Sequence, residues 1–140
     1  MIVIGLTGGI ATGKSTTAKM IMDRGIPLHD ADATVHKLMA AGGPATGPVA
    51  NLFGADMLTA GGDVDRRRLG RVVFADTVLR KQLEAVIHPL VAADRDAFLE
   101  EQRLAGARVV VLDMPLLFET GAEALCDFVI LCSAPDEVQR

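Results

Sequence analysis

Apolar residues fall along this chain in two rhythms. Four short runs are nearly continuous and rich in β-branched residues: Ile2–Thr7, Ile26–His29, Val109–Asp113 and Phe128–Cys132. Runs of that length and composition predict strands. A run without polar alternation predicts a strand buried on both faces, as in a parallel sheet. Elsewhere the spacing changes to three and four residues. Ala18, Ile21 and Met22 mark a helix over Thr16–Met22, and a second is predicted over Ala33–Ala41. Val49–Phe53 reads as a short helical turn. Another helix opens at Arg66, with Leu69, Val72, Val73 and Phe74 as its apolar positions. Thr77–Ile87 places Leu79, Leu83, Val86 and Ile87 on one face. His88-Pro89 is expected to break that helix and restart it, with Pro89 at the first position. The restarted helix is expected to reach about Ala105, with Leu90, Ala93, Ala97 and Leu104 along one side and Val91 and Phe98 beside them. Gly42-Gly43-Pro44 and Gly47-Pro48 read as sharp breaks, and Gly54–Asp65 as a loop. Ser133 and Pro135 predict the start of a last helix.

Strands alternating with helices predict an α/β fold with a parallel sheet. A length of 140 residues suits one domain, 1–140. The stretch between the second and third strands is far longer than a crossover helix needs. Residues 33–105 therefore read as a helical insertion beside the sheet, a natural place for recognition of a substrate.

Composition narrows this picture. Half the residues are hydrophobic, enough for a packed core, and the net charge is −4. That balance argues against nucleic acid or an anionic membrane as a partner held by bulk charge. An anionic ligand has to be met by local positive groups. Cys126 and Cys132 have neither a metal-knuckle nor a redox-pair spacing and read as reduced thiols. No signal peptide and no membrane-length apolar run is evident, so the expectation is a cytoplasmic protein. No feature of the chain sets an oligomeric state.

The chemistry concentrates in Gly8-Gly9-Ile10-Ala11-Thr12-Gly13-Lys14-Ser15, which fits the P-loop pattern G-x-x-x-x-G-K-[ST] between a predicted strand and a predicted helix. Glycines let the backbone curl round a phosphate with no Cβ in the way. The freed N–H groups of Gly8, Gly9, Ala11, Thr12, Gly13, Lys14, Ser15 and Thr16, with the positive helix end, point at the anion. Lys14 is placed to reach the outer phosphates, and the Ser15 hydroxyl to ligate Mg²⁺. A phosphate-bearing nucleotide with Mg²⁺ is the expected ligand pair.

Other residues have two readings each. Asp32, in Asp30-Ala31-Asp32 past the second strand, is either a carboxylate orienting an attacking hydroxyl or an N-cap. Asp30 could be the cap and leave Asp32 free. Arg66-Arg67-Arg68 is either a solvated face or a cationic clamp on a phosphorylated ligand. Three cations oppose the helix dipole there, and Asp63 and Asp65 could offset them. His88 either contacts a ligand or bonds backbone at a helix junction. Asp113, ending the third strand, looks like a Walker-B-type carboxylate holding Mg²⁺ through water, the alternative being a cap or turn. Met114-Pro115-Leu116-Leu117-Phe118-Glu119 is unusually apolar for a loop unless it lines a pocket or packs on a lobe.

Taken together these segments resemble the dephospho-CoA kinases. The resemblance rests on Leu6-Thr7-Gly8-Gly9-Ile10 running into Gly13-Lys14-Ser15-Thr16, on Asp30-Ala31-Asp32 with His36, and on Asp65-Arg66 with Leu69 and Val73-Phe74. It also rests on Leu83-Glu84-Ala85-Val86-Ile87-His88-Pro89 and on Asp113-Met114-Pro115-Leu116-Leu117-Phe118-Glu119. It implies a nucleoside-monophosphate-kinase-like P-loop fold and ATP- and Mg²⁺-dependent phosphorylation of the ribose 3′-hydroxyl of dephospho-CoA, the last step of coenzyme A synthesis. It implies catalytic roles for Lys14, Asp32 and Asp113, and metal binding by Ser15 and Asp113. It implies substrate contacts from Asp32, Arg66, His88, Leu117, Phe118 and Glu119. Ala11 stands where the family commonly has glycine. The family's chain also continues into an arginine-bearing lid, a further strand and a closing helix, which these 140 residues do not contain. Two other readings stay open: a kinase of another small metabolite or nucleotide, and a nucleotide-binding fragment that is catalytically incomplete. A GTPase switch lacks its Asn-Lys-x-Asp signature, and a motor-type ATPase would want a glutamate after Asp113, where Met114 stands.

Overall fold

The computed structural model describes residues 1–8, 13–114 and 122–132. Their elements run β1 (Ile2–Gly8), α1 (Lys14–Asp23), β2 (Leu28–Asp30), α2 (Ala31–Met39), α3 (Thr46–Phe53), α4 (Arg66–Phe74), α5 (Thr77–Leu104), β3 (Val109–Asp113) and β4 (Phe128–Cys132). The helix expected after Ser133 lies outside the described residues.

The strands form one four-stranded sheet in the order β2-β3-β1-β4, parallel throughout. Parallel strands need crossovers, and here they are α1, the long helical stretch, and the segment between β3 and β4. Register is set by face. Val110 and Leu112 pack on one side with Val3, Met114, Phe98 and Leu99. Val111 points to the other side, with Leu6, Ala18, Ile21 and Leu28. A strand with both faces covered has no place for polar alternation, which accounts for the run Val109-Val110-Val111-Leu112. Gly5 is required by close packing. A Cβ there would come within 2.5 Å of Met114 Cε and 2.9 Å of Cys126 Sγ.

The chain divides into two compact units, residues 1–32 with 95–140, and 33–94. The second has its own core of Leu38, Met39, Ala45, Val49, Met57, Val64, Leu69 and Ile87. Its loop over residues 54–65 contains a 3₁₀ turn at Ala55–Met57 and an antiparallel bridge between Leu58 and Val64. Asp65 caps α4, accepting a hydrogen bond from Arg68 N at 3.0 Å. That bond satisfies one free N–H and sets a negative charge against the dipole that Arg66, Arg67 and Arg68 oppose.

Several expectations are corrected. α5 runs unbroken for 28 residues through His88-Pro89. Pro89 removes one donor, which leaves the Ala85 carbonyl without its helical partner. Ala85 and Pro89 are both exposed, so water can take that bond. Downstream, Ala93, Ala97 and Leu104 of the expected stripe are exposed, while Leu90, Val91, Asp94, Phe98 and Leu99 are among the half-buried positions. An unbroken helix keeps its phase through Pro89, and that phase selects a different stripe. Gly47-Pro48 does not break the chain but opens α3, where Pro48 is the third residue. The first N–H groups of a helix have no internal acceptor, so a proline there forfeits nothing. β2 starts two residues later than expected and ends one later, so that it includes Asp30. Phe74 does not face the core and is 81% exposed. Among the described residues no helix is long and apolar enough to cross a membrane.

Candidate active site

The sheet brings three chain segments to one end. β1 finishes at Gly8, and α1 starts at Lys14 after Gly13, whose φ of 82° favours glycine over any residue with a side chain. Gly13 supplies no side-chain cap, and no acidic residue lies in the first turn of α1. The first-turn N–H groups and the positive dipole end are therefore not neutralised by a cap. Ser15 and Thr16 are exposed in that turn. Gly9, Ala11 and Thr12 lie outside the described residues.

Lys14 folds back to the end of β3. Its Nζ stands 2.7 Å from Asp113 Oδ1, and both side chains are largely buried. The ammonium also donates to the Met114 carbonyl at 2.6 Å. Asp113 lies in register with Leu6 of β1 on one side and Asp30 of β2 on the other. Asp32 follows in the first turn of α2 and is exposed. It is inside the helix, not at its cap, which removes the capping alternative for this residue.

These carboxylates influence one another. Burial pushes the Asp113 carboxyl above its usual range; the Lys14 ammonium opposes the rise, and Asp30 and Asp32 add to it by repulsion. Asp113 Oδ1 is fully buried and, among the described residues, makes no hydrogen bond of good geometry, with Lys14 as its ion partner. A buried, under-satisfied carboxylate oxygen suits a hydrated divalent cation. Among the described residues no group of three or more His, Cys, Asp or Glu side chains forms a closed metal cage. Mg²⁺ in phosphoryl-transfer sites takes one or two protein ligands plus phosphates and water, and the Ser15 hydroxyl and Asp113 carboxylate are donors of that kind.

The comparisons bear on this geometry. A sequence model of the family described as dephospho-CoA kinase matches residues 2–140. The chain belongs to the dephospho-CoA kinase family. It is 51% identical over 140 residues to a dephospho-CoA kinase of Mesorhizobium japonicum, covering 100% of this chain and 69% of that protein. A dephospho-CoA kinase of Paramagnetospirillum magneticum is 52% identical over 140 residues, which cover 99% and 65% of the two chains. Among solved structures, TT1252 from Thermus thermophilus superposes with a TM-score of 0.79 at 38% identity, over 99% of this chain and 68% of that one. A dephospho-CoA kinase from Campylobacter jejuni gives 0.74 at 27% identity, over 92% and 64%. The chain thus spans about two thirds of the length of the relatives it matches. Dephospho-CoA kinases carry out the last step of coenzyme A biosynthesis, with ATP and dephospho-CoA as small-molecule substrates. The parallel α/β sheet described above is the fold of the dephospho-CoA kinase structures.

The remaining sequence candidates lie in the second unit or outside the described residues. Arg66 is the first residue of α4, with its guanidinium against the His36 ring. His88 is half-buried in the middle of α5, not at a helix junction. Leu117, Phe118 and Glu119 lie outside the described residues. Three features escaped the sequence reading. Asp30 is a strand residue aligned with Asp113, a pairing that only strand order reveals. The Met114 carbonyl as acceptor for Lys14 has no side-chain signature. Asp127 braces the start of β4 on β1, accepting from Val3 N at 2.8 Å while its own N–H donates to Val3 O at 2.7 Å. An acidic residue directly before an apolar strand was the available signal for it.

Proposed function

We propose that this chain transfers the γ-phosphoryl group of ATP, with Mg²⁺, to the ribose 3′-hydroxyl of dephospho-CoA. The observation that carries the reading is the 2.7 Å approach of Lys14 to Asp113 across the ends of α1 and β3. It supports a site where a cation for phosphate oxygens and a carboxylate for a metal are held together with no ligand needed to assemble them.

The roles follow from placement. Gly13, Lys14, Ser15 and Thr16 hold the phosphates through the uncapped first turn of α1, continuing the loop of Gly8, Gly9, Ala11 and Thr12. On nucleotide binding Lys14 turns from Asp113 to the transferring phosphoryl group. Ser15 and Asp113 hold Mg²⁺, which when bound neutralises charge on the phosphate oxygens. Asp32 accepts the proton of the 3′-hydroxyl or orients it. The oxygen–phosphorus bond to the acceptor forms as the bond to ADP breaks. Little covalent work falls to the protein, so positioning and charge stabilisation carry the rate. Arg66, His88 and the apolar Leu117 and Phe118 with Glu119 contact the acceptor, and the helical insertion is its binding region. Cys126 and Cys132 form no disulfide, which is in keeping with the cytoplasm as the place of work.

Mass spectrometry of products tests the reading. The chain is mixed with Mg-ATP and a panel of hydroxylated acceptors that includes dephospho-CoA. Coenzyme A and ADP as new products, with the other acceptors unmodified, support it, and phosphorylation of a different acceptor overturns it. Asp32→Asn is expected to lower turnover by about 10²- to 10⁴-fold, the range of general-base catalysis, and to leave ATP affinity unchanged. Unaltered turnover in that variant removes Asp32 from the mechanism.

A further inference from the structure

Asp94 of α5 gathers two residues of α2 on one carboxylate. Its Oδ1 stands 2.6 Å from the Lys37 ammonium, and its Oδ2 accepts from the Thr34 hydroxyl at 3.4 Å. The Asp94 side chain is 26% exposed, and Thr34 is 5% exposed. An exposed lysine paired alone would count for little. Here the ion pair shares its carboxylate with a buried hydroxyl, and the two donors lie one turn apart on α2.

The place of this clasp along α2 matters for the reaction. The buried apolar residues of α2, Leu38 and Met39, lie at its far end. In the first turn, which carries Asp32, Thr34 is the buried residue, and Asp32 and Ala33 are exposed. Apolar packing therefore anchors the end of the helix remote from Asp32, and Asp94 anchors the near end. At about 100° per residue, Thr34 lies about 200° round the helix from Asp32 and Lys37 about 140°. The clasp thus grips the side of α2 opposite Asp32. β2 is three residues long and runs into α2 without a loop. That junction sets where α2 begins and leaves rotation about the helix axis to contacts further along. α5 is a firm anchor, since Phe98 and Leu99, about one turn beyond Asp94, pack on the cluster of Val3, Val110, Leu112 and Met114.

We propose that Asp94 is a positioning residue for phosphoryl transfer: by holding Thr34 and Lys37 it fixes the direction in which Asp32 meets the attacking hydroxyl. The inference rests on the reading of Asp32 as the group that accepts or orients that proton. Asp94 itself touches neither substrate in this role.

A double-mutant cycle read by steady-state kinetics tests it. Asp94→Ala is expected to lower kcat for dephospho-CoA about tenfold, less than the roughly 10²-fold that a misplacement of about 1 Å can cost, and to leave KM for ATP unchanged. Asp94→Glu, which keeps a carboxylate, should recover part of the loss. In an Asp32→Asn background Asp94→Ala should cost nothing further, because its effect passes through Asp32. An equal loss in both backgrounds, or no loss in the wild type, overturns the proposal and leaves the kinase reading standing. A second measurement needs no turnover. The side-chain carboxyl signal of Asp32 is followed by carbon-13 NMR in Asp94→Ala and in Lys37→Met, which remove opposite charges. A change in the position of Asp32 moves the signal the same way in both variants, and that is the expected result. A change of field alone moves it in opposite directions. That outcome, or no movement, overturns the clasp. If the chain phosphorylates no acceptor, the kinase reading falls on its own and the carboxyl signal decides the role of Asp94.

Discussion

β3 and β4 flank β1 on opposite sides, each five residues long and each paired to it in parallel over five positions. Their compositions are close, Val-Val-Val-Leu-Asp against Phe-Val-Ile-Leu-Cys. Yet Val110, Val111 and Leu112 are at most 2% exposed, whereas Phe128, Val129, Ile130 and Leu131 are 44% to 64% exposed. The difference is not in the strands. β3 lies between β1 and β2, with α1 and α5 residues packed on its two faces. Among the described residues β4 is an edge strand, as β2 is on the other side. A continuous apolar run therefore specifies a strand, and neighbours decide whether that strand becomes core. The chemistry divides the same way. β3 delivers Asp113 to Lys14, and β4 delivers Cys132 to a position level with Gly8.

The largest expected effects compare the two strand ends. Asp113→Asn should lower phosphoryl transfer to dephospho-CoA by about 10²- to 10³-fold, the usual cost of one electrostatic group in such a site. Cys132→Ser should leave it unchanged. Its thiol packs beside Leu6, Ala18 and Val111 and donates one weak hydrogen bond to the Thr17 hydroxyl, at 3.9 Å. Steady-state kinetics on both variants check this, and equal losses would erase the distinction between the ends.

Stability should separate the strand interiors. Leu112→Ala removes a side chain that is 1% exposed and should cost about 2–5 kcal/mol. Leu131→Ala acts on a side chain that is 63% exposed and should stay within about 0.5 kcal/mol. Urea unfolding of the two variants measures the gap. A large loss at Leu131 would show that β4 is covered in solution.

The smallest effect concerns pH. Asp113 has a carboxyl raised above its ordinary 3.8, chiefly by burial. The folded chain therefore keeps this proton to higher pH than the unfolded chain does. The contribution of Asp113 to stability is most favourable in acid and is lost as pH rises from about 3.8 through the raised value. Wild-type stability, measured relative to Asp113→Asn in denaturant titrations across that range, should fall with pH. A relative stability that rises instead would mean that the Lys14 pair outweighs burial.

Much of this was legible from local pattern. Gly13-Lys14-Ser15 announces a phosphate-binding turn because its chemistry is local: a backbone conformation, a helix end and two side chains in sequence. The offsetting charge of Asp65 before Arg66 was legible for the same reason, whereas its capping bond to Arg68 N came from the structure. Pro89 was misread because a proline signal is weighed against an average helix. Here the residues on both sides bury Ile87, Val91 and Phe98 to differing degrees along one continuous helix, and tertiary packing outweighs one lost bond. The alignment of Asp30 with Asp113 was invisible, since it depends on β2 pairing with a strand some eighty residues away, a register set by burial of both faces.

By itself the sequence determined the strand runs, the phosphate loop, the acidic strand ends and the family to which the chain belongs. Each is a short-range pattern, set by backbone stereochemistry or by residues adjacent in the chain. Only the tertiary structure decided that β3 is core while β4 is exposed, that Lys14 rests on Asp113, and that Asp94 holds Thr34 and Lys37. Those outcomes depend on which distant segments pack together, and solvent exclusion sums over the whole fold and not over neighbours in sequence.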